Sequence, residues 1–223
     1  MLSNPWLLLR DEPELLLDID RDAVLAHNAR AREEHTFRLE VVPEPFLGSP
    51  DAPVVMLSGN PGFVDDDLTW HSRPAYRAAV LAALRHEHDG YPNYLLDPRF
   101  ADAPGGGWWR SRTRALIEAT SVEAVARHVL VCEALPYHSR KFKSPKMDLP
   151  SQQYTTSLAR LAIERGATIV WVRGTGWPAA LGLDLHTHPQ VLRTSHPQVA
   201  HLSPNTLGVE GFGQIVDRIC AAT

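Results

Sequence analysis

The sequence has few cysteines, no long uncharged apolar run and no excess of positive charge. Its two cysteines are too few for a disulfide framework, or for an iron–sulfur cluster held by this chain alone. The apolar stretch at residues 7–9 is followed at once by charged residues, unlike a signal peptide or a membrane span. The formal net charge of -4 means that any nucleic-acid surface has to be local. We therefore expect a cytoplasmic protein that does not enter a membrane.

Beyond residue 45, apolar runs alternate with amphipathic or alanine-rich segments. Strands are predicted at 53–59, 128–136, 167–174 and 190–197, and helices at 73–90, 108–120, 121–127, 151–166, 176–182 and 210–222. A strand–helix alternation of this kind is typical of an α/β protein, in which helices cover both faces of a mainly parallel sheet.

The first 44 residues differ from this pattern and are predicted to form an N-terminal helical extension of an α/β domain at 45–223. Residues 14–36 carry leucine, isoleucine and valine at helical spacings among acids and arginines. Residues 36–46 have β character, but Pro43 and Pro45 restrict this segment to an edge strand or a lead-in to the sheet.

The polar, glycine-rich and proline-rich residues follow the predicted strands. The four stretches are GNPGF, LPYHSRKF, RGTGW and SHPQVAH, one after each strand. In open parallel sheets, ligands bind outside the carboxyl ends of the strands. These four loops are therefore expected to form one binding site.

Two of these loops resemble a known family. Residues 59–62 read Gly-Asn-Pro-Gly after the first strand, and residues 194–197 read Thr-Ser-His-Pro at the end of the fourth. The pair is similar to the two motifs of the uracil-DNA glycosylase superfamily, in the Asn-Pro-Gly form of its mismatch-specific branch. The resemblance covers about residues 45–220. It implies a three-layer α/β/α sandwich with a central, mainly parallel four-stranded sheet, and an enzyme that removes a damaged or mismatched base from DNA.

The resemblance also implies roles for individual residues. Asn60 would hold a water molecule below the sugar, and His196 would donate a hydrogen bond to the carbonyl of the departing base. Phe63 would stack on a base flipped out of the duplex. The remaining motif residues, Gly59, Pro61, Gly62 and Pro197, would shape the substrate site. No cofactor and no metal are expected, since the four cysteines of the cluster-bearing branches are absent.

Glu133 departs from the family pattern. At the end of the second strand, the better-known branches carry an asparagine whose amide reads uracil, whereas this chain has a glutamate. An ionised carboxylate only accepts hydrogen bonds, so it would instead pair with an amino group on cytosine, adenine or guanine. The alternative is that Glu133 is the partner of an internal salt bridge.

The loop after the second predicted strand combines cations with aromatic side chains. Basic residues that contact phosphates and aromatic residues that stack on bases are typical of nucleic-acid binding. The residues predicted to bind DNA are Tyr137, Arg140, Lys141, Phe142 and Lys143.

Two alternatives to a DNA glycosylase stay open on the sequence alone. The first is a protein of the same fold that binds nucleic acid or a nucleotide without catalysis. The second is a metal-dependent hydrolase that uses His186, His188, His196 and His201, which lie within 16 residues of one another.

Overall fold

The computed structural model describes residues 3–10, 12–88, 90–143, 147–195 and 201–223. Within these ranges, one five-stranded sheet has the order β1-β3-β2-β4-β5. The strands are β1 (Phe46–Leu47), β2 (Val54–Ser58), β3 (Val129–Glu133), β4 (Thr168–Trp171) and β5 (Val191–Arg193).

The sheet is mixed but mostly parallel. Strand β2 pairs in parallel with β3 and β4, and β4 pairs in parallel with β5. The two-residue strand β1 runs antiparallel to β3 at one edge. The predicted α/β class and the mainly parallel sheet are confirmed, while the predicted number of four strands is wrong by this one edge strand. The strand is short because Pro43 and Pro45, which precede it, have no backbone N–H to donate to a neighbouring strand.

The described helices are α1 (Arg21–Asn28), α2 (Asp66–His71), α3 (Pro74–Leu84), α4 (Pro104–Ala119), α5 (Val122–His128), α6 (Gln152–Glu164), α7 (Trp177–Leu181) and α8 (Pro204–Ala222). Helices α6 and α7 contact each other, whereas α4, α5 and α8 form a second group. Strands β3 and β4 lie on opposite sides of β2 in the sheet.

Helix α4 begins four residues before its predicted start, in a stretch that reads as a loop. Its first turn contains Pro104 at a position that needs no N–H donor, followed by three glycines. At Gly106, a Cβ atom would lie 2.2 Å from the carbonyl oxygen of Phe100. The glycine therefore allows a close approach of two backbone segments, and this packing outweighs its poor helix propensity.

The N-terminal extension packs onto the α/β part through buried side chains. Trp6 and Leu15 belong to the same core cluster as the strands of the sheet. The buried carboxylate of Asp20 accepts hydrogen bonds from the Tyr137 hydroxyl at 2.8 Å and from the backbone N–H of Ser151 at 3.1 Å. Among the residues of this extension that the structure describes, α1 is the one α-helix, with short 3-10 turns around it. None of the helices described has the length and apolar character needed to span a membrane.

Candidate functional site

The site is built at the carboxyl ends of β2, β3 and β4. Ser58 and Glu133, the last residues of β2 and β3, lie opposite each other in the sheet register. The backbone N–H of Leu135 donates to the carbonyl oxygen of Gly59 at 2.9 Å, so the two strand-ending loops continue side by side. An isolated parallel bridge between Gly62 and Ser139 extends this pairing.

Asn60 is half-buried between these loops, and its amide nitrogen is held by three acceptors. Nδ2 lies 2.8 Å from Oγ of Ser139, 3.0 Å from the carbonyl oxygen of Pro61 and 3.4 Å from that of Tyr137. Carbonyl oxygens only accept hydrogen bonds, so the amide must present its nitrogen to them. The other amide atom, Oδ1, points away from this anchor and is without a hydrogen-bond partner among the residues that the structure describes.

His138 fixes the loop that follows Asn60. Its Nδ1 lies 2.6 Å from the carbonyl oxygen of Gly62, and its Nε2 lies 3.1 Å from that of Val42. Each ring nitrogen therefore faces a backbone carbonyl oxygen, and the ring bridges the loop after β2 and the segment before β1. The buried carboxyl group of Glu44 lies 4.0 Å from Nε2. Burial raises the pKa of Glu44, and the nearby His138 opposes that effect.

Glu44, His71 and His138 are a group of three possible metal ligands within the described ranges, with one ligand atom of each inside 4.8 Å of the others. Their hydrogen bonds do not suit a metal. Both nitrogens of His138 are occupied by backbone carbonyl oxygens, and Nδ1 of His71 accepts from the backbone N–H of Val42 at 3.2 Å. A neutral His71 then carries its proton on Nε2, which leaves that atom without a lone pair for a metal. The group is a hydrogen-bond network that supports the Asn60 loop.

A cavity of about 1130 Å³ opens beside these loops. Its described lining comes from the end of β3, the following loop, the first turns of α6 and the loop between β4 and α7. Glu133, Phe142 and Trp177 contribute to the lining, together with polar side chains of α6. The Trp177 indole donates a hydrogen bond to the carbonyl oxygen of Ser58 at 2.7 Å, and this bond connects α7 with the end of β2. A cavity of about this size is typical of small-molecule sites.

Glu133 is buried at the base of this site, with 5% of its surface exposed. Burial raises the pKa of its carboxyl group to about 8, while the Ser58 hydroxyl and Arg173 oppose that shift. Its Oε2 atom has no hydrogen-bond partner in the described structure. Burial therefore favours the neutral carboxylic acid over the ionised carboxylate, because the protein removes the group from water.

Phe142 lines the cavity together with Trp177, whereas Phe63 is not among the described lining residues. A Cβ atom on Gly59 would lie 3.1 Å from the Phe142 ring, so this ring covers the residue next to Asn60. Phe63 is buried, and the guanidinium groups of Arg38 and Arg140 lie over its ring at 4.5 Å and 5.3 Å from the centroid. The stacking of Phe63 on a flipped base stays a prediction, and in this structure two guanidinium groups cover its ring.

The other residues of the basic loop differ in their exposure and in the ion pairs that they already make. Tyr137 has only 1% of its surface exposed and donates to Asp20, so its predicted contact with DNA is corrected to a core position. Arg140 is hydrogen-bonded to Asp65, and Lys141 lies 3.4 Å from Glu34. Lys143 is exposed. An incoming phosphate would therefore compete with acids for Arg140 and Lys141.

A cationic cluster that the sequence did not indicate lies on the same edge of the sheet. Arg112 in α4 donates to the ring of His201, which precedes α8, and Arg173 follows β4. Burial and the charge of Arg173 lower the pKa of Arg112. Arg112 makes no ion pair with an acid in the part of the chain that the structure describes. Arg112, Arg173 and His201 are 28 to 89 positions apart in the sequence, so no run of basic residues indicates that they lie together.

The second motif falls largely outside the described residues. His196 and Pro197 lie in the interval 196–200, so their predicted roles stay predictions. Of the other histidines once considered for a metal, His186 packs edge-on against Trp171, with a centroid distance of 5.1 Å, and His201 bonds to Arg112. Within the described ranges, these histidines do not form a group of three ligands.

Comparisons with known proteins do not identify the class of this chain, so its class has to be inferred from its own fold and site. The scan against protein-family models gave no matching family, and the search of curated proteins gave no matching relative. The features above define an α/β protein with a mostly parallel sheet and a cavity at the carboxyl ends of its strands.

Proposed function

We propose that this chain is a hydrolase of the uracil-DNA glycosylase type, with the three-layer α/β/α architecture of that superfamily, and that it cleaves the bond between a base and its sugar in DNA. The observation that carries the proposal is the anchored amide of Asn60. Three acceptors hold its nitrogen, and its oxygen is left for a water molecule. The carboxyl group of Glu133 and the ring of Phe142 line the neighbouring cavity.

Each part has a role in the proposed reaction. The cavity receives a base that has left the duplex, and Phe142 stacks against it. The bond from C1′ of the sugar to the base nitrogen breaks, and its electron pair leaves with the base. The water held by Asn60 Oδ1 adds to C1′ and gives its proton to solvent. His196 donates to the base carbonyl, where negative charge develops.

A second candidate function is binding of nucleic acid or a nucleotide without cleavage. The neighbouring guanidinium groups of Arg112 and Arg173 favour it, because two such cations attract a phosphate whether or not a reaction follows. Such a protein would use the same edge of the sheet, and Asn60 would then be structural.

Labelled oligonucleotides decide between the two. Each carries one uracil, hypoxanthine, xanthine or mismatched base, in single- and double-stranded form, and alkali reveals abasic sites. We expect cleavage of at least one substrate by the wild type and by Asn205→Ala, an exposed asparagine of α8. Cleavage should be lost in Asn60→Ala and should survive a chelator.

Binding measured on the same oligonucleotides completes the comparison. Salt-sensitive binding without cleavage of any substrate would contradict the glycosylase and favour the binding protein. Cleavage that Asn60→Ala leaves intact would show that the amide is not part of the reaction. Thermal unfolding of the variant separates this result from a loss of folding, since Asn60→Ala also removes a hydrogen bond to Ser139.

A further inference from the structure

Ser139 is buried beside Asn60, and its hydroxyl group has two partners. The hydroxyl donates to the carbonyl oxygen of Lys141 at 3.1 Å, and its oxygen lies 2.8 Å from Nδ2 of Asn60. A hydroxyl group carries one proton, and a carbonyl oxygen only accepts hydrogen bonds. The proton of Ser139 is therefore used on Lys141, and the lone pairs of its oxygen face the Asn60 amide.

This arrangement decides which way the Asn60 amide points. An asparagine amide can present its NH2 group or its oxygen to a neighbour, and a hydroxyl group that rotates freely is a partner for either. A hydroxyl group whose proton is already used offers only an acceptor. The NH2 group of Asn60 therefore turns towards Ser139, and Oδ1 turns away from it.

The carbonyl group of Lys141 is held in turn by the N-terminal extension. Nδ1 of His35 lies 2.9 Å from this carbonyl oxygen, and the backbone N–H of Lys141 donates to the carbonyl oxygen of Glu34 at 2.8 Å. These two contacts fix the direction of the acceptor that takes the Ser139 proton. A continuous series of hydrogen bonds thus leads from the extension, through Lys141 and Ser139, to Asn60.

We propose that Ser139 is a positioning residue for Asn60, and that the N-terminal extension keeps Ser139 in its accepting state through His35 and Lys141. Asn60 Oδ1 then faces the attacking water without a rearrangement before the reaction. Ser139 and His35 act through the amide and not on the substrate. This inference rests on the proposed function for its effect on base release, but the orientation of the amide can be measured without a substrate.

The first measurement is NMR of the Asn60 side-chain amide in the free protein, compared between the wild type and Ser139→Ala. The substitution removes the hydroxyl group and keeps the backbone hydrogen bond from residue 139 to the carbonyl oxygen of Pro61. The Nδ2 resonance should shift, and its protons should exchange with water about 3- to 10-fold faster, the factor that corresponds to one hydrogen bond.

The matched control is Ser121→Ala. It removes a hydroxyl group that accepts from the backbone N–H of Ala124 at the start of α5, the helix that leads into the amino end of β3. Loss of this cap should also lower the stability of the protein. The Asn60 amide signals should nevertheless match those of the wild type, so a change in Ser139→Ala does not come from lower stability alone.

A pair of substitutions tests the contribution of His35. Asparagine places an amide N–H near the position of Nδ1, whereas leucine has no donor. His35→Leu should change the Asn60 amide signals in the same direction as Ser139→Ala, and His35→Asn should restore the wild-type signals. Wild-type signals in His35→Leu would overturn the part of the inference that concerns the extension.

Single-turnover base release from an oligonucleotide gives a second readout. Ser139→Ala should lower the rate by about 3- to 10-fold and leave the affinity for the oligonucleotide close to that of the wild type. In the Asn60→Ala background the same substitution should have no further effect, because Ser139 acts only through the amide. An additional loss of rate in the double variant would show a general structural role and would overturn the inference.

The outcomes separate the inference from the proposed function. Amide signals that respond to Ser139→Ala, together with no base release from any oligonucleotide, would support the positioning of Asn60 and remove the glycosylase. Base release that depends on Asn60, together with a wild-type rate and wild-type amide signals in Ser139→Ala, would overturn the inference alone.

Discussion

Replacement of Glu133 by glutamine is expected to stabilise the protein at neutral pH. The wild type keeps a carboxyl group buried beside Glu44, with one oxygen unsatisfied. Glutamine has nearly the same shape and cannot ionise. The variant therefore removes the penalty of a buried acid and keeps the cavity lining intact.

The size of the effect follows from the pKa of Glu133, which folding raises from 4.5 to about 8. Between these two pH values the folded protein binds more protons than the unfolded chain. The free energy of unfolding of the wild type therefore falls as pH rises, by about 1.4 kcal/mol per pH unit, and the loss is complete above pH 8. Glutamine is free of this loss, so Glu133→Gln should be more stable than the wild type by about 3 kcal/mol near neutral pH.

Urea unfolding at a series of pH values from about 4.5 to about 8 measures this difference, with Glu118→Gln, the same change at an exposed glutamate of α4, as the control. The gap between Glu133→Gln and the wild type should be small at the acidic end and should widen steadily with pH. A gap that stays constant, or a variant that is less stable near neutral pH, would refute the assignment of a neutral, buried acid.

Two further substitutions test the surroundings of the site. The first is His71→Asn, which keeps an acceptor for the Val42 N–H. Burial lowers the pKa of His71 from 6.5 to about 3, so the wild type loses stability as pH falls below 6.5. Near pH 5 its free energy of unfolding, measured with urea, should be lower by about 2 kcal/mol, and the variant should not show this loss. An equal acid sensitivity of both proteins would contradict this. The second is Gly59→Ala, whose Cβ would lie 3.1 Å from the Phe142 ring and push the ring from its position. Binding of 2′-deoxycytidine, measured by NMR titration, should therefore weaken several-fold, and the free energy of unfolding should fall by about 1 kcal/mol. Unchanged affinity would show that Phe142 does not face the base.

The sheet could be predicted because its strands are buried on both faces and read as uninterrupted apolar runs. Every residue of β2 and β3 is buried, which matches the segments that the sequence indicates. The rule that ligands bind at the carboxyl ends of parallel strands then placed the loop of Asn60 and the loop after β3 together, as the structure has them.

The chemical state of the site could not be predicted, because it depends on residues distant in the sequence. Tyr137 sits in a loop of cations and aromatics, and its inward position results from Asp20, 117 residues earlier. The position of Phe142, and not Phe63, in the described lining of the cavity is likewise set by tertiary packing. The neutral form of Glu133 arises from burial, which the end of a strand does not reveal.

The most direct test of the central claim is the single-turnover rate of base release from the best oligonucleotide substrate, compared between the wild type and Asn60→Ala. If Asn60 Oδ1 positions the attacking water, the rate should fall by about 10²-fold or more in the variant, while the affinity for the oligonucleotide stays close to that of the wild type. Asn205→Ala should release the base at the wild-type rate. Equal rates in the wild type and Asn60→Ala, or base release by neither protein, would contradict the proposed site.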